Sequence, residues 1–139
     1  MVGDRQFTHS SGMKMTGKTK IYEIPEFTAN SIFESKRVFI GFAGDTGSFG
    51  NILNWLYDPT GRVPKLGNVD LVMLNHRHEI YTAISLTNWL QMSQPFYAIG
   101  SGSEYAMGAM EAGKTPQEAI KVASKFDSST GKGFTVLTM

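Results

Sequence analysis

Residues 96–113 read FYAIGSGSEYAMGAMEAG. A short aromatic and apolar run, Phe96 to Gly100, reads as a strand and stops at a Gly-Ser-Gly turn. From Ser103 to Ala112 the chain is rich in small residues, reads as a helix, and closes at Gly113. Immediately afterwards, Thr115-Pro116-Gln117-Glu118 is a capping box with proline at the first helical position, opening a helix through Ala119, Val122, Ala123 and Phe126. The chain then finishes in GFTVLTM, residues 133–139, a strand in composition.

Upstream of this helical pair the periodicity is that of a sheet. RVFIGFAG, Arg37 to Gly44, has the β-branched and aromatic content of a buried strand. Phe49, Ile52, Leu53 and Leu56 then fall at i, i+3, i+4 and i+7, one face of a helix with Thr46 or Ser48 as its N-cap. YDPTGRVPKLGN, residues 57–68, stops that helix with two prolines and two glycines. VDLVMLN and EIYTAISL flank His76-Arg77-His78 and read as a hairpin. Strands, a helix, strands, two helices and a strand, in that order, argue for an α+β layered domain rather than a doubly wound sheet. There are no internal repeats and no low-complexity stretches.

Composition narrows the function classes. The 139 residues are 41% hydrophobic and 12% aromatic, enough for one core, and the expectation is a single domain over 1–139. Thirteen basic against 12 acidic residues leave a net charge of +1, without the basic stripe of a nucleic-acid binder. Zero cysteines exclude a disulfide framework, a thiolate metal site and a cysteine nucleophile from these residues. Neither a membrane-length apolar run nor a signal-peptide core is present, so a cytoplasmic protein is expected. His76 and His78 stand at i, i+2 in HRHE, a spacing read as a hairpin turn, and no metal or cofactor is expected.

Residues 12–19, GMKMTGKT, match the phosphate-loop pattern G-x-x-x-x-G-K-[ST] letter for letter. That loop functions only between a buried strand and a helix N-terminus, where backbone N–H groups hold the phosphates. Here DRQFTHSS precedes it, and KIYEIPEF follows with strand alternation and a proline. Strand, turn, strand is the expected structure, without nucleotide binding.

Four blocks in order resemble the proteasome β-subunit and HslV family. FYAIGSGSEYAMGAMEAG is similar to its strand, Gly-Ser-Gly turn and alanine-rich helix. MVGDRQFTHSSGMKMTGKTKIYEI is similar to its second strand, following loop and lysine-bearing strand. VFIGFAGDTGSFGNILNWL resembles its alanine-glycine turn leading into the first helix, and KFDSSTGKGFTVLTM its aspartate and hydroxyl loop before the last core strand. The resemblance covers about two thirds of the chain.

What it implies is an N-terminal nucleophile hydrolase: a four-layer αββα sandwich of antiparallel sheets, assembled into stacked rings. In that family the hydroxyl of an N-terminal threonine attacks the peptide carbonyl, and its own α-amine accepts the proton. Lys20 takes the role of the lysine that favours the ionised nucleophile, with Asp4 as its carboxylate partner. Gly44 offers the oxyanion N–H. Ser101, Asp127 and Thr130 form the polar support around the amine. Read without the family, Asp4 and Lys20 are a surface ion pair, Gly44 is a turn glycine and Ser101 is a helix cap.

Four departures stand out. Asp45 occupies a position where the family usually has glycine, which places a negative charge beside the specificity pocket. PEFTANSIFESK lengthens the connection after the lysine strand, while the second helix that normally follows the first is missing. The family's nucleophile falls about a dozen residues before Met1, so its strand is expected to be absent from residues 1–139. The implied function is a threonine-type endopeptidase subunit with peptide or unfolded-protein substrates and an ATPase unfoldase as partner. The alternative is a catalytically inactive ring or interaction subunit.

Overall fold

The computed structural model describes residues 1–4, 6–8, 14–16, 20–130 and 134–136. Along the chain these form β1 (Val2–Asp4), β2 (Gln6–Thr8), β3 (Lys14–Thr16), β4 (Ile21–Ile24), α1 (Glu26–Phe33), β5 (Val38–Gly44) and α2 (Thr46–Tyr57). They continue as β6 (Val69–Asn75), β7 (Ile80–Ser85), β8 (Asn88–Gln91), α3 (Ser103–Glu111), α4 (Pro116–Phe126) and β9 (Phe134–Val136). Strands β4 to β8 make a five-stranded antiparallel sheet in sequence order.

Strand β5, which lies between β4 and β6, is buried from Val38 to Ala43 because both faces of the sheet are covered there. Val38, Ile40 and Phe42 face one core with Ile24, Val69, Leu71, Met73 and, from α2, Ile52 and Leu56. Phe39, Gly41 and Ala43 alternate to the other face, where Ile21, Val72, Leu74 and Ile80 join them. Across that second face lies the α3–α4 hairpin, which packs on itself through Ala106, Met110, Ala119 and Ala123. β1 pairs antiparallel with β9, and β1 adjoins α4.

The structure corrects the sequence reading at several places. PEFTANSIFESK is not simply an extended connection. It contains α1, which starts just after Pro25 and ends at Glu34 in a left-handed conformation with φ 48. Proline breaks a helix only from within, and ahead of the first turn it costs no hydrogen bond. α1 lays Ala29 into the main core and sets Phe33 edge-on to Trp89 of β8 at 5.3 Å. It thus supplies a second helix on the α2 side of the sheet, from ahead of β5 rather than from after α2.

FYAIG is not a strand either. The paired strand comes earlier, as β8, after a bulge between Ala83 and Ser85. The N-cap of α2 is Asp45, whose carboxylate accepts the Gly47 N–H at 3.0 Å, and not Thr46 or Ser48.

The hairpin over His76 to Glu79 forms as expected. Asn75, 2% exposed, ties it by accepting the Arg77 and Glu79 N–H groups and donating to Glu79 Oε2. His76 Nδ1 lies 2.7 Å from Ser35 Oγ, and Ser35 donates its own proton to the Arg37 carbonyl, so the imidazole N–H is the donor of that pair. Among the described residues no three His, Asp or Glu side chains gather to hold a metal ion. None of the described helices is long and apolar enough to cross a membrane.

Within GMKMTGKT, Lys14 to Thr16 form β3, paired with β2 in the register Gln6↔Thr16. A ladder strand inside the motif cannot curl its N–H groups around a phosphate. Gly12, Met13 and residues 17–19 lie outside the described residues.

Candidate active site

Three parts of the chain converge at one end of the sheet. Lys20 leads into β4, and its carbonyl accepts the Phe42 N–H at 2.9 Å, fastening the residue beside the end of β5. The Gly100-Ser101-Gly102 turn abuts the same end. Gly100 has φ +94, and a Cβ there would sit 3.3 Å from Ala43 Cβ, so a compact left-handed residue is needed for the approach. The third part is the loop after α4, beginning at Asp127, whose N–H closes the helix on the Ala123 carbonyl at 2.8 Å.

Asp127 organises this corner. Ser101 Oγ donates to its Oδ2 at 2.7 Å and Thr130 Oγ1 donates to the same oxygen at 2.6 Å. The Ser129 N–H donates to Oδ1 at 3.2 Å. Burial pushes the carboxyl pKa up, but these hydroxyls and the backbone N–H groups of Ser129 and Thr130 outweigh it and hold the pKa below 3.8. The group is therefore a carboxylate at neutral pH. Both hydroxyl protons are committed to it, which leaves the oxygens of Ser101 and Thr130 as acceptors toward any further partner.

Beside this cluster is a cavity of ≈ 360 Å³ whose wall includes Lys20, Ser101 and Thr130. Its sheet side is apolar, with Ile21, Val72, Leu74 and Ile80, and its far end carries His78, a turn residue with φ 63. A cleft with an apolar wall and a few convergent polar groups at one end has the makeup of a ligand site.

The residues singled out in the sequence are thus partly gathered. Lys20, Ser101 and Thr130 share the cavity wall, and Asp127 stands behind the two hydroxyls. Gly44 is outside that wall. It has φ +103, and a Cβ there would collide with the Asn68 carbonyl, so chain reversal alone requires glycine. Asp4 is placed only by its register with Phe134 in the β1–β9 pair, and its side chain lies outside the described residues. Asp45 uses its carboxylate to cap α2.

Sequence reasoning did not find the apolar wall. The signal was there: Val72, Leu74 and Ile80 are apolar at strand positions that would be polar if the second face met water.

The described residues thus form an antiparallel meander with helices against one face, a helical hairpin across the other and the Gly-Ser-Gly turn between them. Among solved structures the chain is similar to BPH from Thiobacillus denitrificans in complex with epoxomicin, with TM-score 0.66 and 18% identity over 96% of this chain and 88% of that one. It is also similar to Anbu, an ancestral β-subunit from Yersinia bercovieri, with TM-score 0.67 and 11% identity over 96% of this chain and 73% of that one. Identities this low show a common fold. No family model and no curated protein matches the chain.

Proposed function

We propose that the chain is a threonine-type endopeptidase subunit of a cytoplasmic, proteasome/HslV-like ring, acting on peptides or unfolded protein. The observation that carries this reading is the pair of hydroxyls, Ser101 and Thr130, committed to one carboxylate oxygen at the wall of a cavity that also bears Lys20. Acceptor oxygens backed by a carboxylate suit an α-ammonium or amine. An apolar cleft suits the extended segment that would carry it.

In this reading the nucleophile is an N-terminal threonine from outside residues 1–139. Its hydroxyl oxygen bonds to the peptide carbonyl carbon while its proton passes to the α-amine. The amine then protonates the leaving nitrogen as the C–N bond breaks, and water hydrolyses the resulting ester to free the threonine. Lys20, partnered by Asp4, lowers the cost of the developing alkoxide. The resemblance gives the oxyanion to the Gly44 N–H, a role that requires the substrate to reach past the cavity wall described above. No cofactor takes part. Rings formed by self-association would enclose the sites, with an ATPase unfoldase feeding them. The β1–β9 pair would belong to the second sheet of a four-layer αββα sandwich built as one domain.

The test uses the native gene product. Its N-terminal residue is sequenced, and the protein is incubated with epoxomicin and weighed by mass spectrometry. A threonine terminus carrying one inhibitor adduct, lost in Lys20→Met, is the expected result. A different terminus and no adduct would overturn the proposal. They would leave the alternative, an inactive ring subunit, which the position of Gly44 outside the cavity wall favours.

A further inference from the structure

The cavity beside the hydroxyl cluster has two kinds of polar group at one end. Ser101 Oγ and Thr130 Oγ1 give their protons to Asp127 Oδ2 at 2.7 and 2.6 Å, so both present acceptor oxygens backed by a negative charge. Lys20, on the same wall, brings a positive charge and a donor. Between that end and His78 the lining is apolar, with Val72, Leu74 and Ile80 from the sheet and Ala119 and Ile120 from α4. At ≈ 360 Å³ the space is near the lower bound of ligand cavities, about 300–1,000 Å³, and suits a small molecule.

We propose that this cavity binds a free α-amino acid with an apolar side chain, such as leucine. The ammonium meets the Ser101 and Thr130 oxygens, the carboxylate meets the Lys20 ammonium, and the side chain lies along Val72, Leu74 and Ile80. Charge complementarity selects this class over its neighbours. A simple alkylamine would set its charge beside that of Lys20. A fatty acid would set its carboxylate against hydroxyl oxygens whose protons are already given to Asp127. An α-amino acid carries both charges on one carbon, with an apolar body leading away, and so answers both groups at once. The inference shares the cavity of the peptidase reading and uses none of its chemistry. In that reading the same oxygens receive the nucleophile's α-amine, and leucine would compete with it for them.

The test is calorimetric titration of residues 1–139 with L-leucine at neutral pH. Saturable binding at one site per chain is expected, with a melting temperature that rises with leucine concentration. Charged groups are then removed from the ligand, which leaves the fold untouched. N-acetyl-leucine lacks the ammonium and leucinamide lacks the carboxylate, and each should bind at least about tenfold more weakly, the worth of one charge-assisted hydrogen bond. Lys20→Met should weaken leucine by a similar factor without weakening leucinamide, because the lysine meets the group that leucinamide lacks. Glutamate should not compete, since its second carboxylate would lie on the apolar wall. No saturable leucine binding would overturn the inference. So would N-acetyl-leucine, leucinamide or glutamate binding as tightly as leucine, or a Lys20→Met loss shared equally by leucine and leucinamide. The two readings fail separately. A threonine terminus with an epoxomicin adduct on the native product, but no leucine binding to residues 1–139, overturns this inference alone. Leucine binding with a different terminus and no adduct overturns the peptidase reading alone.

Discussion

Gly102→Ala tests whether the Ser101–Asp127–Thr130 cluster is held as tightly as its geometry implies. Gly102 is the N-cap of α3 with φ -86, so alanine brings no backbone strain. Its Cβ, however, would fall 2.3 Å from Thr130 Oγ1, 3.2 Å from Ala123 Cβ and 3.3 Å from Asp127 Oδ2. Restoring ordinary contact requires the threonine oxygen to retreat by roughly 1 Å. That carries its 2.6 Å bond to Asp127 beyond hydrogen-bonding range, and a χ1 rotation that escapes the clash breaks the same bond. One hydrogen bond to a charged group contributes about 1.5–3 kcal/mol, and partial exposure discounts the expectation to about 1–2 kcal/mol. Gly50→Ala is the matched control. It makes the same chemical change inside α2 with nothing within 4 Å of the new methyl, and should stabilise by about 0.5–1 kcal/mol. Chemical unfolding of the two variants beside wild type, at equal chain concentration, reads the difference directly. Equal stability of Gly102→Ala and wild type, or shifts of the same sign in both variants, would refute the reasoning about the cluster.

Acid should remove the contribution of Asp127. Its folded pKa is depressed, so its stabilisation is present above the ordinary value of 3.8 and is lost as pH falls through the folded value. The melting difference between wild type and Asp127→Asn should therefore shrink on going from pH 7 toward strong acid; a constant difference would contradict the assigned charge state. Thr115→Ala removes the Thr115 Oγ1 acceptor from the box that joins it to Glu118, and should cost about 1 kcal/mol in chemical unfolding. Titration calorimetry with magnesium-ATP should show no binding heat, with Lys18→Ala indistinguishable from wild type; saturable binding lost in the variant would restore the phosphate-loop reading.

What the sequence revealed depended on whether one cause shaped each stretch. β5 was legible because burial on both faces leaves a continuous apolar run. α2 was legible from its i, i+3, i+4, i+7 stripe, and α4 from a capping box whose two bonds both form. Phe96 to Gly100 misled because two causes look alike in a single chain. These residues are apolar because they line the cavity and press Gly100 against Ala43, not because they pair in a ladder. α1 was hidden by Pro25, which reads as a breaker unless the helix is known to begin after it. The hydroxyl cluster was legible only through resemblance, since nothing in a separation of 26 residues announces that Ser101 meets Asp127.

The cluster also has a structural job, and that affects how its chemistry can be tested. It joins the turn ahead of α3 to the loop behind α4, closing the helical hairpin at the end where the helices would otherwise splay. Asp127→Asn should therefore lower stability and reactivity together, so loss of activity in that variant cannot by itself assign a catalytic role. Lys20 belongs to another element and reaches the cavity from the sheet side, tied to β5 through its backbone carbonyl, which any residue provides. Lys20→Met keeps that bond and much of the aliphatic stem, and removes only the ammonium. It should therefore change reactivity with epoxomicin far more than the unfolding midpoint. If the two variants instead lose reactivity in proportion to stability, the lysine is a packing residue and the cavity is not a peptidase site.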